Sequence, residues 1–179
     1  MEHQLQSIEG QIGQGRNYDN PPLHLWHPPL SGDIPIVIKA DGSWYHDGGE
    51  IKRHSLVRLF ASILRREEDG EYYLVTPGEK WRLAVELHPL MVTDVEAVGQ
   101  GGEQILRVTL NTGKQVDIGE EHALFLEPAV GDIAAIELSH GLTALFTRAA
   151  WYRLVEMAEQ QDGVAVVTSG GRIFRLEAG

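Results

Sequence analysis

Residues 44–86 read WYHDGGEIKRHSLVRLFASILRREEDGEYYLVTPGEKWRLAVE. At their centre Leu56, Leu59, Phe60, Ile63 and Leu64 fall at i, i+3, i+4, i+7 and i+8, the spacing of one apolar helix face. The helix is expected to begin after Arg53 and to end on Arg65 and Arg66, whose charges suit the carbonyl end of the helix dipole. On both sides the period changes. Trp44–His46 reads as a strand turning at Gly48-Gly49, and YYLVT with KWRLAVE reads as a hairpin. Pro77-Gly78 closes that hairpin, proline presetting one turn position and glycine supplying the positive φ of a type II turn. Strand pair, helix and hairpin predict a small sheet that carries one helix.

Upstream, IVIKA at 36–40 and the turn Asp41-Gly42 supply a further strand that pairs with Trp44–His46. Before it, PPLHLWHPPLSGDIP carries five prolines, too many for regular structure, with Trp26 as its anchor. His24 and His27 lie there without a third ligand nearby, so they read as structural or solvent-exposed. Residues 1–20 are rich in Gln, Gly and Asn, with Leu5, Ile8 and Ile12 as apolar anchors. They are expected to be a flexible tail or a short, weakly docked helix.

Downstream, Pro89 marks a boundary. An N-terminal half over 21–90 and a C-terminal half over 91–179 are expected. The second half opens with short strands separated by Gly101-Gly102, Asn111-Thr112-Gly113 and His140-Gly141. A second helix is expected from Arg148, with Trp151, Leu154, Val155 and Ala158 on one face. Asp162-Gly163 ends it, and VAVVT with RIFRLE forms a closing hairpin. Asp69-Gly70 matches Asp162-Gly163, Val75-Thr76 matches Val167-Thr168, and Leu83 matches Leu176, at a shift of about 92–93 positions. The chain therefore reads as a duplicated α+β unit, each half a small antiparallel sheet with one helix.

Composition narrows the function. The 179 residues carry a formal charge of −11, which repels nucleic acid and anionic lipid. There is no cysteine, so disulfides, thiolate catalysis and cysteine-ligated metal are excluded. A signal peptide and a membrane-length apolar run are both missing, and a soluble cytoplasmic protein is expected. No phosphate-binding loop, H-E-x-x-H or nucleophile elbow occurs, and the eight histidines share no metal-ligand spacing. No cofactor is expected.

One polar constellation stands out. Trp44 and His46 alternate onto the same strand face. Lys52, Arg53 and the free amides of the helix start are placed to hold an anion, and Thr76, Glu79 and Lys80 lie on the following hairpin. The competing reading is a solvated edge whose charges discourage aggregation.

The motifs DGSWYH, LVRLFASILRRE, YYLVTP with EKWRLAVE, LNTG, EHALF and ALFTR with WYRLVE resemble the bacterial domain of unknown function family 1285 over nearly everything after Pro21. The resemblance implies two similar α+β halves, the second loosely like a pleckstrin-homology domain. It further implies a cleft between them for a ligand or partner, and a role in signal transduction. Its motif positions suggest Trp44, His46, Arg53, Thr76, Glu79, Lys80, Glu86, Asn111 and His122 as ligand-binding residues. The family usually has an acid where this chain has Leu87, which would alter such a site. The expected function is a non-enzymatic module binding a small molecule or protein segment. The rivals are a hydrolase or transferase using His46 or His122 as general base, and an interaction module acting through an exposed sheet edge.

Overall fold

The computed structural model describes residues 2–12 and 20–178. Two compact units emerge: Met1–Leu87 with His140–Leu142, and His88–Ser139 with Thr143–Gly179.

In the first unit, helix α1 (Glu2–Ile12) is followed by strands β1 (Gly32–Ile38), β2 (Trp44–His46) and β3 (Gly49–Glu50). Helix α2 (His54–Ser62) and strands β4 (Leu64–Arg66), β5 (Tyr72–Val75) and β6 (Lys80–Val85) complete it. The strands form one sheet in the order β3-β2-β1-β6-β5-β4. Every neighbouring pair is antiparallel except β1 with β6, which run parallel. Strand β1 buries Ile34, Ile36 and Ile38 in strict alternation, the pattern of a strand with one face on a core. The turn after β2 is Asp47-Gly48, both at positive φ, which matches the twist of a two-residue hairpin; Gly49 already belongs to β3.

Two expectations change here. Helix α2 stops at Ser62, and Arg65 and Arg66 are strand residues, not a helical last turn. Ile63 and Leu64 are fully buried, so their spacing reports burial correctly although Leu64 is no longer helical. What ends the helix is competition from β5. The Ile63 carbonyl accepts from Val75 N at 3.0 Å, and Leu64, Arg65 and Arg66 pair with Leu74, Tyr73 and Tyr72. At the hairpin tip, Gly78 is not in the left-handed region, so no type II turn forms. Thr76 closes the turn instead: its amide donates to the Glu79 carbonyl at 2.9 Å, and its hydroxyl accepts from Glu79 N at 2.9 Å.

The N-terminal twenty residues contain α1, with Ile8 fully buried; 13–19 of the expected tail lie outside the described residues.

The second unit contains β7 (Leu90–Val98), β8 (Ile105–Leu110), β9 (Gln115–Asp117), β10 (Leu124–Glu127), β11 (Ile133–Glu137) and β12 (Thr143–Phe146). Their order is β10-β11-β12-β7-β8-β9, with β12 and β7 parallel. Helix α3 (Arg148–Glu156) follows, capped by Thr147, whose hydroxyl accepts from Ala150 N at 3.2 Å. It buries Ala150 and Leu154, while Val155, expected on the inner stripe, is 43% exposed. Strands β13 (Glu159–Gln161), β14 (Val164–Ser169) and β15 (Arg172–Arg175) form a separate three-stranded sheet.

The chain is thus α+β, with two similar halves. Helix, short strand, Asp-Gly turn and hairpin recur as α2–β4–β5–β6 and α3–β13–β14–β15. The main sheets are six-stranded and mixed, where small antiparallel ones were expected, because each contains one parallel pair.

Candidate functional site

Strand register sorts the sequence-selected residues of the first unit. Ile38 pairs with both Trp44 and Val85, so Trp44 shares a face with Val85, Leu83 and Trp81. Helix α2 covers that face, since Phe60 stacks on Trp44 with ring centroids 6.4 Å apart. His46, two residues along, points the same way. Trp44 is 1% exposed, and neither its Nε1 nor His46 Nε2 has a hydrogen-bond partner among the described residues. An unpaired buried polar atom costs about 1–3 kcal/mol, so the arrangement is unfavourable as it stands.

Lys80 is on the opposite face. Its ammonium pairs with Glu67 at 2.9 Å and lies over the Tyr73 ring, 4.7 Å from the centroid. Arg65 reaches the same carboxylate at 2.6 Å and also donates to the carbonyls of Leu23 and Trp26, each at 3.0 Å. Burial raises the Glu67 pKa, but the bonds from Lys80 and Arg65 outweigh it and hold the group below its ordinary value. Tyr73 donates to Asp69, and that bond together with burial pushes the phenol up to about 12. Arg53 and Lys80 are paired separately. Each cation already has its own carboxylate, and Lys52 is simply exposed.

Arg53, Thr76 and Glu79 do converge, on helix α1. Arg53 pairs with Glu9. The Thr76 hydroxyl, fully buried, donates to Gln11 Oε1 at 2.5 Å. Ser7 donates to Glu79 Oε1 at 3.0 Å, and the other Glu79 oxygen accepts from Trp81 Nε1 at 3.3 Å. Gln4, Ser7, Ile8 and Gln11 fall at i, i+3, i+4 and i+7, one side of the helix. Ile8 is its apolar anchor, and Gln4 Oε1 is buried without a partner among the described residues. Sequence reading missed α1 as a participant because a Gln-rich stretch with few aliphatic side chains has a weak helical period.

Glu86 serves the β1–β2 turn, accepting from Ala40 N at 2.9 Å and pairing with Lys39 at 3.4 Å. Asn111 and His122 belong to the second unit. Asn111 accepts from Met91 N at 3.2 Å through its side chain, and His122 Nδ1 bonds the Glu137 carbonyl at 3.0 Å. Both bonds join a side chain to a backbone group. The best-placed histidine of this unit was not singled out from sequence. His88 is 5% exposed, with Nδ1 2.6 Å from the Thr143 hydroxyl and Nε2 2.8 Å from Glu127 Oε2. The Ala129 amide also donates to Glu127, and that bond, then the one from His88, holds this carboxyl below its ordinary value against burial. Separations of 39 and 55 residues leave such a cluster no local signature. Among the described residues no group of three or more His, Asp or Glu could hold a metal ion.

The model of the DUF1285 N-terminal domain, a domain of unknown function, matches residues 21–87. That of the C-terminal domain of the same protein of unknown function matches 89–176. A DUF1285 family protein from Silicibacter pomeroyi DSS-3 is 37% identical, with a TM-score of 0.84 over 94% of this chain and 93% of that one. A second, from Shewanella baltica OS155, is 31% identical, with a TM-score of 0.56 over 69% of this chain and 91% of its own. No curated protein matches. With both domain models matched in order and a relative of this identity along nearly its whole length, the chain belongs to the DUF1285 family.

Proposed function

We propose that the protein is a non-enzymatic binding module whose first unit receives a protein segment at the surface built from Arg53, Thr76 and Glu79. One observation supports this most directly: these three residues, chosen from sequence as ligand-binding, all bond to one helical segment through a carboxylate, a carboxamide and a hydroxyl. A guanidinium, a buried hydroxyl and a carboxylate together read acceptors and a donor in a fixed pattern, which is recognition chemistry. His122 spends a ring nitrogen on a backbone carbonyl, which argues for a structural use over a general base. A net charge of −11 argues against nucleic acid as the partner. The setting proposed is bacterial signal transduction, as the family resemblance implies.

Native mass spectrometry of freshly purified chain lacking residues 1–19 tests the reading. A retained peptide or protein mass, lost in the Arg53→Ala/Thr76→Val double variant, is expected. A retained small molecule with the same dependence would make the module a metabolite binder. No retained mass on either the shortened or the full chain would contradict the proposal.

A further inference from the structure

Helix α1 meets the first unit in an unusual way. Among its described side chains it fully buries one aliphatic, Ile8, with Leu5 half-buried, and it is also held by side-chain bonds to residues 44 to 72 positions away: Glu9 to Arg53, Gln11 to Thr76 and Ser7 to Glu79. A helix that is integral to a core buries a wide apolar stripe instead. The seat is made of residues within the family domain, whereas α1 precedes the residues that the domain model matches. The fit is also incomplete, since Gln4 Oε1 is enclosed without a partner among the described residues.

We infer that α1 is an internal stand-in for a partner: the seat formed by Arg53, Thr76 and Glu79 takes a helical protein segment bearing an aliphatic anchor flanked by hydroxyl, carboxylate and carboxamide groups, and α1 is displaced when that segment binds. This rests on the proposed binding role and adds its occupant and its control. The occupant is argued from what already sits there. A trans helix presenting the same groups at the spacing of Ser7, Glu9 and Gln11 meets the same donors and acceptors, and one that encloses no unpaired acceptor at the position of Gln4 outcompetes α1. Because α1 belongs to the same chain as its seat, it competes at an effective concentration on the order of mM. A trans helix with a Kd of about 10 μM for the empty seat then binds the full chain about 100-fold more weakly.

The test is fluorescence polarisation with a labelled peptide of the α1 sequence, MEHQLQSIEGQI, and a scrambled control. The chain lacking residues 1–19 should bind the peptide and not the control, and Arg53→Ala in that background should weaken binding about two- to fivefold. The full chain should bind it at least 30-fold more weakly than the shortened chain. No binding to a shortened chain that keeps its circular dichroism and cooperative melt would overturn the inference, as would equal binding to both chains. Where truncation unfolds the protein, full-length Ile8→Asp takes its place, with α1 undocked and the peptide bound as by an empty seat. If that variant also loses its fold, α1 is a structural member and the inference fails. The mass-spectrometric test stands apart: a retained small molecule with no peptide binding would sustain a binding module while removing this occupant. A dimer that exchanges α1 between copies would show as peptide binding accompanied by loss of that dimer, and would make a second copy the partner, overturning a foreign one.

Discussion

Ser169 shows how much one side chain can hold in this fold. It is fully buried, accepts from Leu106 N at 2.7 Å and donates to the Ile118 carbonyl at 2.6 Å, tying the end of β14 to the strands β8 and β9. Ser169→Ala strands two buried backbone groups, and a loss of about 2–4 kcal/mol in urea denaturation is expected. The sequence around Ser169 gives no sign of these bonds, because its partners lie 63 and 51 residues away. Tyr73 gives a pH signature. Its folded pKa of about 12 stands above the ordinary 10.0, so its contribution to stability is complete below pH 10 and is lost as pH rises through about 12. Ultraviolet titration of wild type against Tyr73→Phe should remove one phenol that ionises late. A phenol at position 73 titrating near pH 10 would show that the bond to Asp69 does not persist in solution.

Among the elements, β4 explains what periodicity can and cannot reveal. The apolar positions of 56–64 were legible as buried, yet the last of them lies in a strand, since pairing with β5 is a tertiary event that helical spacing does not register. Arg65 depends on that change. As a strand residue it anchors the proline-rich approach segment through Leu23 and Trp26 and neutralises Glu67. Arg65→Ala should therefore cost about 2–4 kcal/mol and sensitise residues 21–31 to limited proteolysis. Arg66→Ala, on an exposed side chain, should cost less than about 1 kcal/mol. Equal effects would mean that the carbonyl bonds of Arg65 contribute nothing. The hairpin turns, by contrast, were readable directly. Asp-Gly and Asn-Thr-Gly sequences announce reversals wherever the partner strand is local.

At the scale of the whole molecule, the duplicated order of elements and the two-part division were visible in the sequence, because both rest on repeated local patterns. The residues of the proposed seat were half visible: Arg53, Thr76 and Glu79 stand out by their polarity around a helix start and a turn. Strand alternation puts Lys80 on the other face from Trp81, and the partners that α1 meets were not legible because they lie 44 to 72 positions away. Net charge makes a global prediction: no micromolar binding to duplex DNA or RNA at physiological salt in a polarisation assay.

The central claim is that α1 occupies a seat without being part of the core. Native-state amide hydrogen exchange tests it most directly, because opening of α1 alone exposes its amides while the sheet stays closed. The amides of residues 6–12 should exchange at least 100-fold faster than those of β1 and β6, and should do so without any change in the global melt. Protection of α1 equal to that of the sheet would show that the helix opens only when the whole unit unfolds, and would contradict the account.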